Sequence, residues 1–330
     1  MDIYIPKTEL IVPQRLRVGV AAFIGWRVRK RSTGRVVREA EPYKNMITDA
    51  GLDAWGGTSD DDIADLTEVC AVGTGTTEPA AGDTALVSES ASTSSRTHVA
   101  SGVQTSTLPY YGYVQYSYQF SEGSAQGNQS ELGFRPSGGN LFSRQLFRDG
   151  EGSPTTITVL SDEFLEVTYE VRKYLPNPVD LVQDPVTISG SDYEVTTRPI
   201  SVVTGGSQWS YEDGYALAPP VGVNSQMRTD DEGLQPITGT YDVVLGNTDS
   251  NSMSSYTAGT RTRSVEGVWN PGTATGDIAR VCWGKMSGST NIPHYRWAQW
   301  QTAFNPPLPK TSDNRLVLQF YAQWGREGEI

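Results

Sequence analysis

The chain has 330 residues, a formal net charge of −12 and 37% hydrophobic residues, enough for one large core or two moderate ones. With 34 glycines and 19 prolines, and with threonine, valine and tyrosine recurring in short runs between turn residues, the composition excludes a helical bundle and points to a mainly β fold. The charge is divided: residues 1–40 hold nine bases and three acids, net +6, and the other 290 hold 17 and 35, net −18, a balance by which the body repels nucleic acid.

The opening "MDIYIPKTEL" has no basic start followed by an apolar run, so it does not read as a signal peptide, and no 18-residue apolar stretch is present to insert in a membrane. Residues 16–40 read as two strands joined at Ser32-Thr33-Gly34, where glycine can take the positive backbone angle of a tight turn. Within a basic N-terminal arm and hairpin, residues 1–44, the side chains of Arg15, Arg17, Arg27, Arg29, Lys30, Arg31, Arg35 and Arg38 form a candidate docking element. They suit an acidic neighbouring subunit, or equally the solvated outer face of a hairpin.

"NMITDAGLDAWGG" follows, in which Asn45 can cap a short helix with Met46, Ile47, Ala50 and Ala54 near helical spacing and Gly56-Gly57 ending it. "TSDDDIADL" offers a second start, with Ser59 as cap and Asp60, Asp61 and Asp62 in the first turn, where carboxylates suit the positive end of a helix. In "TEVCAVGTGTTEPAAGDTALVSES" the pair Gly73 and Gly75 suggests a phosphate cradle, but the third glycine of a dinucleotide fingerprint is replaced by Glu78 and the end of a P-loop by Gly82-Asp83-Thr84. The glycines are expected to serve a reversal of the chain, with Pro79 fixing the backbone after it and Asp83 bonding the amide of Ala85. Cys70 and Cys282, far apart and in apolar settings, read as two buried thiols of a chain made in a reducing compartment.

From residue 100 the pattern is strand after strand. "LPYYGYVQYSYQF" splits into an apolar face of Tyr110, Val114, Tyr116, Tyr118 and Phe120 and a second face of Tyr111, Tyr113, Gln115, Ser117 and Gln119. "DEFLEVTYEVRKY" turns Leu165, Val167, Tyr169 and Val171 one way and Glu166, Thr168, Glu170 and Arg172 the other. A hairpin before it turns at Asp149-Gly150, with "TTITVL" as its next strand. Residues 181–276 are rich in Gly, Ser, Thr and Asn and read as a loop-rich β insertion or second small β domain. "NRLVLQFYAQWGR" is a core strand with Leu316, Leu318, Phe320, Ala322 and Trp324 on one face. The expected organisation is an N-terminal arm at 1–44, a core at 45–180, the insertion at 181–276 and strands at 277–330 that complete the core.

Five of these pieces, "NMITDAGLDAWG", "VGTGTTEPAAGDTALVSE", "ELGF", "LFSRQLFRDGEGSPTTITVLSDEFLEVTYEVRKY" and "FNPPLPKTSDNRLVLQFYAQWGR", together resemble tail structural proteins of double-stranded DNA bacteriophages. The resemblance spans residues 35–175 and 300–326 and leaves out 181–276. It implies an antiparallel β-sandwich with one or two short helices, made in the host bacterial cytoplasm and placed in the virion tail. It also implies docking on other tail proteins as a homo-oligomer, trimer or hexamer, with a surface for a host glycan or protein. A collar or head fibre, or a glycan-binding receptor module, are the alternatives.

Chemistry is sparse beside this. His98 and His294 are the only histidines and stand in no nucleophile motif, so no catalytic residue, metal or cofactor is expected. Asp162, Glu163, Glu166 and Glu170 could supply a pair of facing acids for glycoside hydrolysis, but a turn and a wet strand face are where solvated acids belong. Glu131 and Arg144 are placed to pair across a sheet, at a surface worth of at most about 1 kcal/mol. The aromatic run Tyr295, Arg296, Trp297 and Trp300 is a candidate glycan platform, since sugar faces stack on exposed rings; tryptophans also fill cores.

Overall fold

The structure, a computed structural model, describes residues 7–56, 63–175, 186–188, 191–199, 225–231, 233–235, 246–285 and 300–329. In chain order its elements begin with β1 (Lys7–Lys30), β2 (Val36–Ile47), α1 (Asp49–Gly56), α2 (Ile63–Leu66), β3 (Val69–Gly73), β4 (Glu89–Thr93), β5 (Arg96–Gln104) and β6 (Tyr111–Gln119). They continue with β7 (Gly127–Gln129), β8 (Glu131–Arg135), β9 (Ser143–Leu146), β10 (Ile157–Val159), β11 (Glu163–Tyr174), β12 (Val186–Ile188) and β13 (Ser191–Pro199). The remainder are β14 (Ser225–Asp230), β15 (Gly246–Asn247), β16 (Ser250–Met253), β17 (Thr262–Trp269), β18 (Gly276–Lys285), β19 (Trp300–Lys310) and β20 (Arg315–Arg326).

The protein is mainly β, as its turn-rich composition predicts. β1 organises the largest sheet: its second half pairs β11 from Gly19↔Tyr174 to Lys30↔Glu163, and the sheet continues through β6 to β5. Along its other edge β1 pairs β20 first and β2 afterwards, and β2 passes on to β9, β8, β3 and β4. The arm is thus a central strand, held by Val18, Val20, Ala22, Ile24 and Val28 on its buried side. The hairpin turn falls where the sequence put it, with Gly34 at φ 67° and its amide donating to Lys30 O at 2.8 Å.

The large sheet is mixed, which corrects the purely antiparallel expectation. β1 and β20 run parallel from Lys7↔Arg315 to Val20↔Arg326. Leu316, Leu318, Phe320, Ala322 and Trp324 alternate into the core as expected, where Trp283 of the second sheet covers Phe320 and α1 covers Trp324, whose Nε1 donates to Leu52 O at 2.8 Å. A second sheet has the order β12-β13-β19-β18-β14-β15, so strands from 186–230 and 276–310 share it, while β17, at 262–269, joins the large sheet. The sheets meet through Trp283 of β18, which stacks on Phe320 of β20 at 5.0 Å and 8°. Phe134 of β8 stacks on Tyr169 of β11 at 3.7 Å.

Two local expectations change. The first helix starts later than the apolar spacing suggests: Met46 and Ile47 belong to β2, Asn45 is buried in it, and Thr48 is the cap, its Oγ1 accepting from the Gly51 amide at 2.9 Å. Pairing of Met46 and Ile47 with Arg144 and Ser143 of β9 keeps them in the strand, and the Thr48 hydroxyl then starts the helix. The turn at Asp149-Gly150 is present, with Asp149 Oδ1 accepting from Glu151 and Ser153, but β10 pairs β7 rather than the strand before the turn. α2 is described from Ile63, so the proposed cap Ser59 and the acids Asp60–Asp62 lie outside the described residues. Cys70 and Cys282 are buried and form no disulfide, and burial pushes the Cys70 thiol well up.

Candidate functional site

The glycine-rich loop between β3 and β4 covers the most extensively bonded buried ion pair among the described residues. Its ends meet, the Thr74 amide donating to Ser88 O at 2.9 Å, so 74–88 closes as a compact surface loop. Glu131, fully buried at the start of β8, sits beneath it. Its carboxylate accepts from the amides of Gly75 (3.1 Å), Val87 (3.1 Å) and Ser88 (2.7 Å), and from Arg144 Nε at 2.9 Å. Arg144, 1% exposed on β9, places Nη2 2.8 Å from Glu131 and donates to Thr77 O (2.8 Å) and Asp83 Oδ2 (2.7 Å). Asp83 also accepts from the Ala80 amide at 2.9 Å, not from Ala85 as the sequence suggested.

This clasp explains the motif. Neither Gly73 nor Gly75 has a positive φ; they are needed for room. A Cβ on Gly75 would lie 2.4 Å from Glu131 Oε1, and one on Gly73 2.3 Å from Ser88 O. Glu131 and Arg144 pair as expected across β8 and β9, but in the interior, where removing one partner leaves an unmatched charge and costs about 3–5 kcal/mol. The loop is tied outward too, through Asp49 N to Ala81 O (2.7 Å) and Leu141 N to Thr84 O (3.0 Å). Its rim is exposed at Thr76, Thr77, Thr84, Ala85 and Val87 and carries one exposed acid, Glu78, 3.4 Å from Arg148.

Most of the basic arm meets acids of its own chain. Arg27 and Arg29 flank Glu166 at 3.4 and 3.3 Å, Lys30 reaches Asp162 at 2.9 Å and Glu163 at 3.3 Å, Arg31 reaches Glu122 and Arg38 reaches Glu163, both at 2.5 Å. Burial pushes the Glu163 carboxyl up, but the Leu160 amide, Lys30 and Arg38 outweigh it and hold it below the usual glutamate range. Arg17 and Arg35 are exposed and pair with no acid among the described residues, and the Arg15 side chain lies outside them. The acids Asp162, Glu163 and Glu166 are therefore partners of cations on β1 and β2, and Glu170 holds Arg172 of its own strand at 2.6 Å.

Trp300 is fully buried, 6.3 Å from Trp283, and so offers no ring to a surface glycan; the gap between the two sheets needed its volume. Tyr295, Arg296 and Trp297 lie outside the described residues, as does His294. His98 is exposed on β5. Half-exposed aromatics occur elsewhere, on the outer face of β1, β6 and β11. Tyr111 stands opposite Tyr174 and Tyr113 opposite Arg172. The Arg172 guanidinium lies over Phe23 (4.3 Å) and Tyr111 (4.7 Å). Strand alternation already placed Tyr111, Tyr113 and Arg172 on this face, but only the register brings them together.

Among the described residues no three His, Cys, Asp or Glu side chains converge as a metal site, and no helix is long and apolar enough to cross a membrane. Comparison with family models, curated proteins and solved structures finds no match.

Proposed function

We propose that this chain is a non-enzymatic structural protein of a bacteriophage tail, which docks on other tail subunits as a symmetric homo-oligomer. The observation that carries the reading is how the residues of the family-like pieces are used. Gly73, Gly75, Asp83, Glu131 and Arg144 come from three of the five pieces and are spent on one another, beneath a loop they hold rigid. Side chains consumed in this way serve shape, and a loop tied down at both ends on a broad sheet suits a docking element. The Trp283–Phe320 stack between the two sheets, with the Phe134–Tyr169 stack between distant strands of the large sheet, supports the finer architecture, layers packed face to face as a sandwich.

In this reading the ionic part of docking falls to Arg17 and Arg35, since their neighbours are paired within the chain. The test is to raise antibody against the purified chain and locate gold label on particles from a lysate whose phage encodes it. Label along the tail is expected; label on the capsid or absent from intact particles overturns the placement.

A further inference from the structure

We infer that the loop between β16 and β17, residues 254–261, is a releasable strap on α1, and that its hold is passed through Asp49 to the loop at 74–88. The strap grips the helix along its length. Asp49 accepts from the Arg261 guanidinium, and Asp53 accepts from the Tyr256 hydroxyl and, at 3.1 Å, from the Gly259 amide. These two acids stand four residues apart and share a face of the helix. At its end Gly56 O accepts from Arg263 Nη1 of β17 at 3.3 Å. The Tyr256 ring stacks on Trp324 at 5.6 Å and 27°, and the Trp324 amide donates to Arg261 O at 3.0 Å, so the strap also closes over the end of β20.

The strap is held shut against its own geometry. Arg261 lies at φ 49°, a left-handed backbone that is costly for a residue with a Cβ. Its buried Nε has no hydrogen-bond partner among the described residues. Thr257 to Thr260 are exposed at the tip, while below them the Ser254 amide donates to Ser264 O at 3.0 Å and β16 pairs β17. A strained segment fastened by a few contacts, on strands that keep their own pairing, can open without unfolding the sheet.

The start of α1 carries the loop as well. The Asp49 amide donates to Ala81 O at 2.7 Å. Thr48 Oγ1 donates to Leu141 O at 2.5 Å, and the Leu141 amide donates to Thr84 O at 3.0 Å. Asp49 therefore holds the strap with its carboxylate and the loop with its amide. Arg326 holds the same carboxylate at 2.6 Å, so opening the strap removes one of two cations and leaves the helix start in place but less firmly set. Coupling of this kind is reciprocal: whatever immobilises 74–88 also favours the closed strap. That the strap regulates docking rests on the proposed reading of 74–88; the coupling itself rests on these bonds.

The test is hydrogen–deuterium exchange, read by mass spectrometry on the purified full chain and two variants. Tyr256→Ala removes the stack on Trp324 and the bond to Asp53, and changes no residue of α1 or of the loop. Arg261→Asn keeps a residue that tolerates the left-handed backbone and cuts the pair with Asp49; it also reports if Tyr256→Ala fails to fold. Exchange in 254–261 and in 78–85 should both accelerate by about fivefold or more, with 69–73 and 131–135 unchanged. The inference is overturned if either segment accelerates alone, if neither does, or if all four accelerate together, which is general unfolding. Coupling that persists in a chain found off the tail would sink the tail reading and leave the strap.

Discussion

Arg144 meets Glu131 at 2.8 Å with 1% and 0% of their side chains exposed, whereas Arg27 meets Glu166 at 3.4 Å with 40% and 21% exposed. The residue types are the same and the sequence spacing distinguishes neither pair. The clasp is covered by its loop, so each charge depends on the other and on the three amides that complete the shell. The arm's pairs with Glu166, Glu122 and Asp162 are open to water and screened by salt. Those with Glu166 and Glu122 contribute at most about 1 kcal/mol each, while Glu163, with 3% of its side chain exposed, is the buried partner of Lys30 and Arg38. Burial, not pairing, decides which region holds the fold and which can exchange partners.

The comparison can be broken at its strongest point. Glu131→Ala strands Arg144 and three loop amides, and should lower unfolding free energy by about 3–5 kcal/mol in urea. It should also open 74–88 to protease; resistance of the loop in a destabilised variant would mean that its outer ties suffice. Gly75→Ala keeps every charge but drives a methyl against Glu131 Oε1, at a cost of about 1–3 kcal/mol. A neutral Gly75→Ala would show that the clasp has slack.

The arm sharpens the same contrast. Arg27→Ala should cost less than about 1 kcal/mol and the loss should shrink as salt is raised. Acid acts here with a definite sign. Glu163 is held below its ordinary range, as is Asp49, which burial pushes up but Arg326 and Arg261 pull further down. Each contributes stability that is present above the unfolded-state pKa and is lost as pH falls through the lower folded value. Glu163→Gln should therefore lower stability in the neutral region, where the ionised carboxyl contributes, and flatten the acid limb so that variant and parent converge as pH falls; an unaltered acid limb would remove Glu163 from the account.

Much of the architecture was legible from alternation. The faces of β6, β11 and β20, the turn at Gly34 and the buried cysteines follow from a period of two and from turn chemistry. The parallel pairing of β1 with β20 was not legible, because alternation fixes a strand's face and leaves its neighbour and direction open. Thr48 was missed as the cap because Asn45 suits that role equally well in isolation. Glu131 and Arg144 were read as a surface pair because burial depends on a loop more than 40 residues upstream of Glu131 folding back over it. Trp300 was misplaced for the mirror reason: a tryptophan beside polar residues looks exposed until a second sheet covers it.

The central claim is that this chain is a rigid subunit made to be repeated around an axis. Light scattering on the purified full chain, at low and at high salt, tests it most directly. The account predicts one discrete mass at low salt, an integral multiple of the chain in the range of a trimer or hexamer, which falls at high salt to the extent that Arg17 and Arg35 dock. A single monomeric mass under both conditions would contradict it.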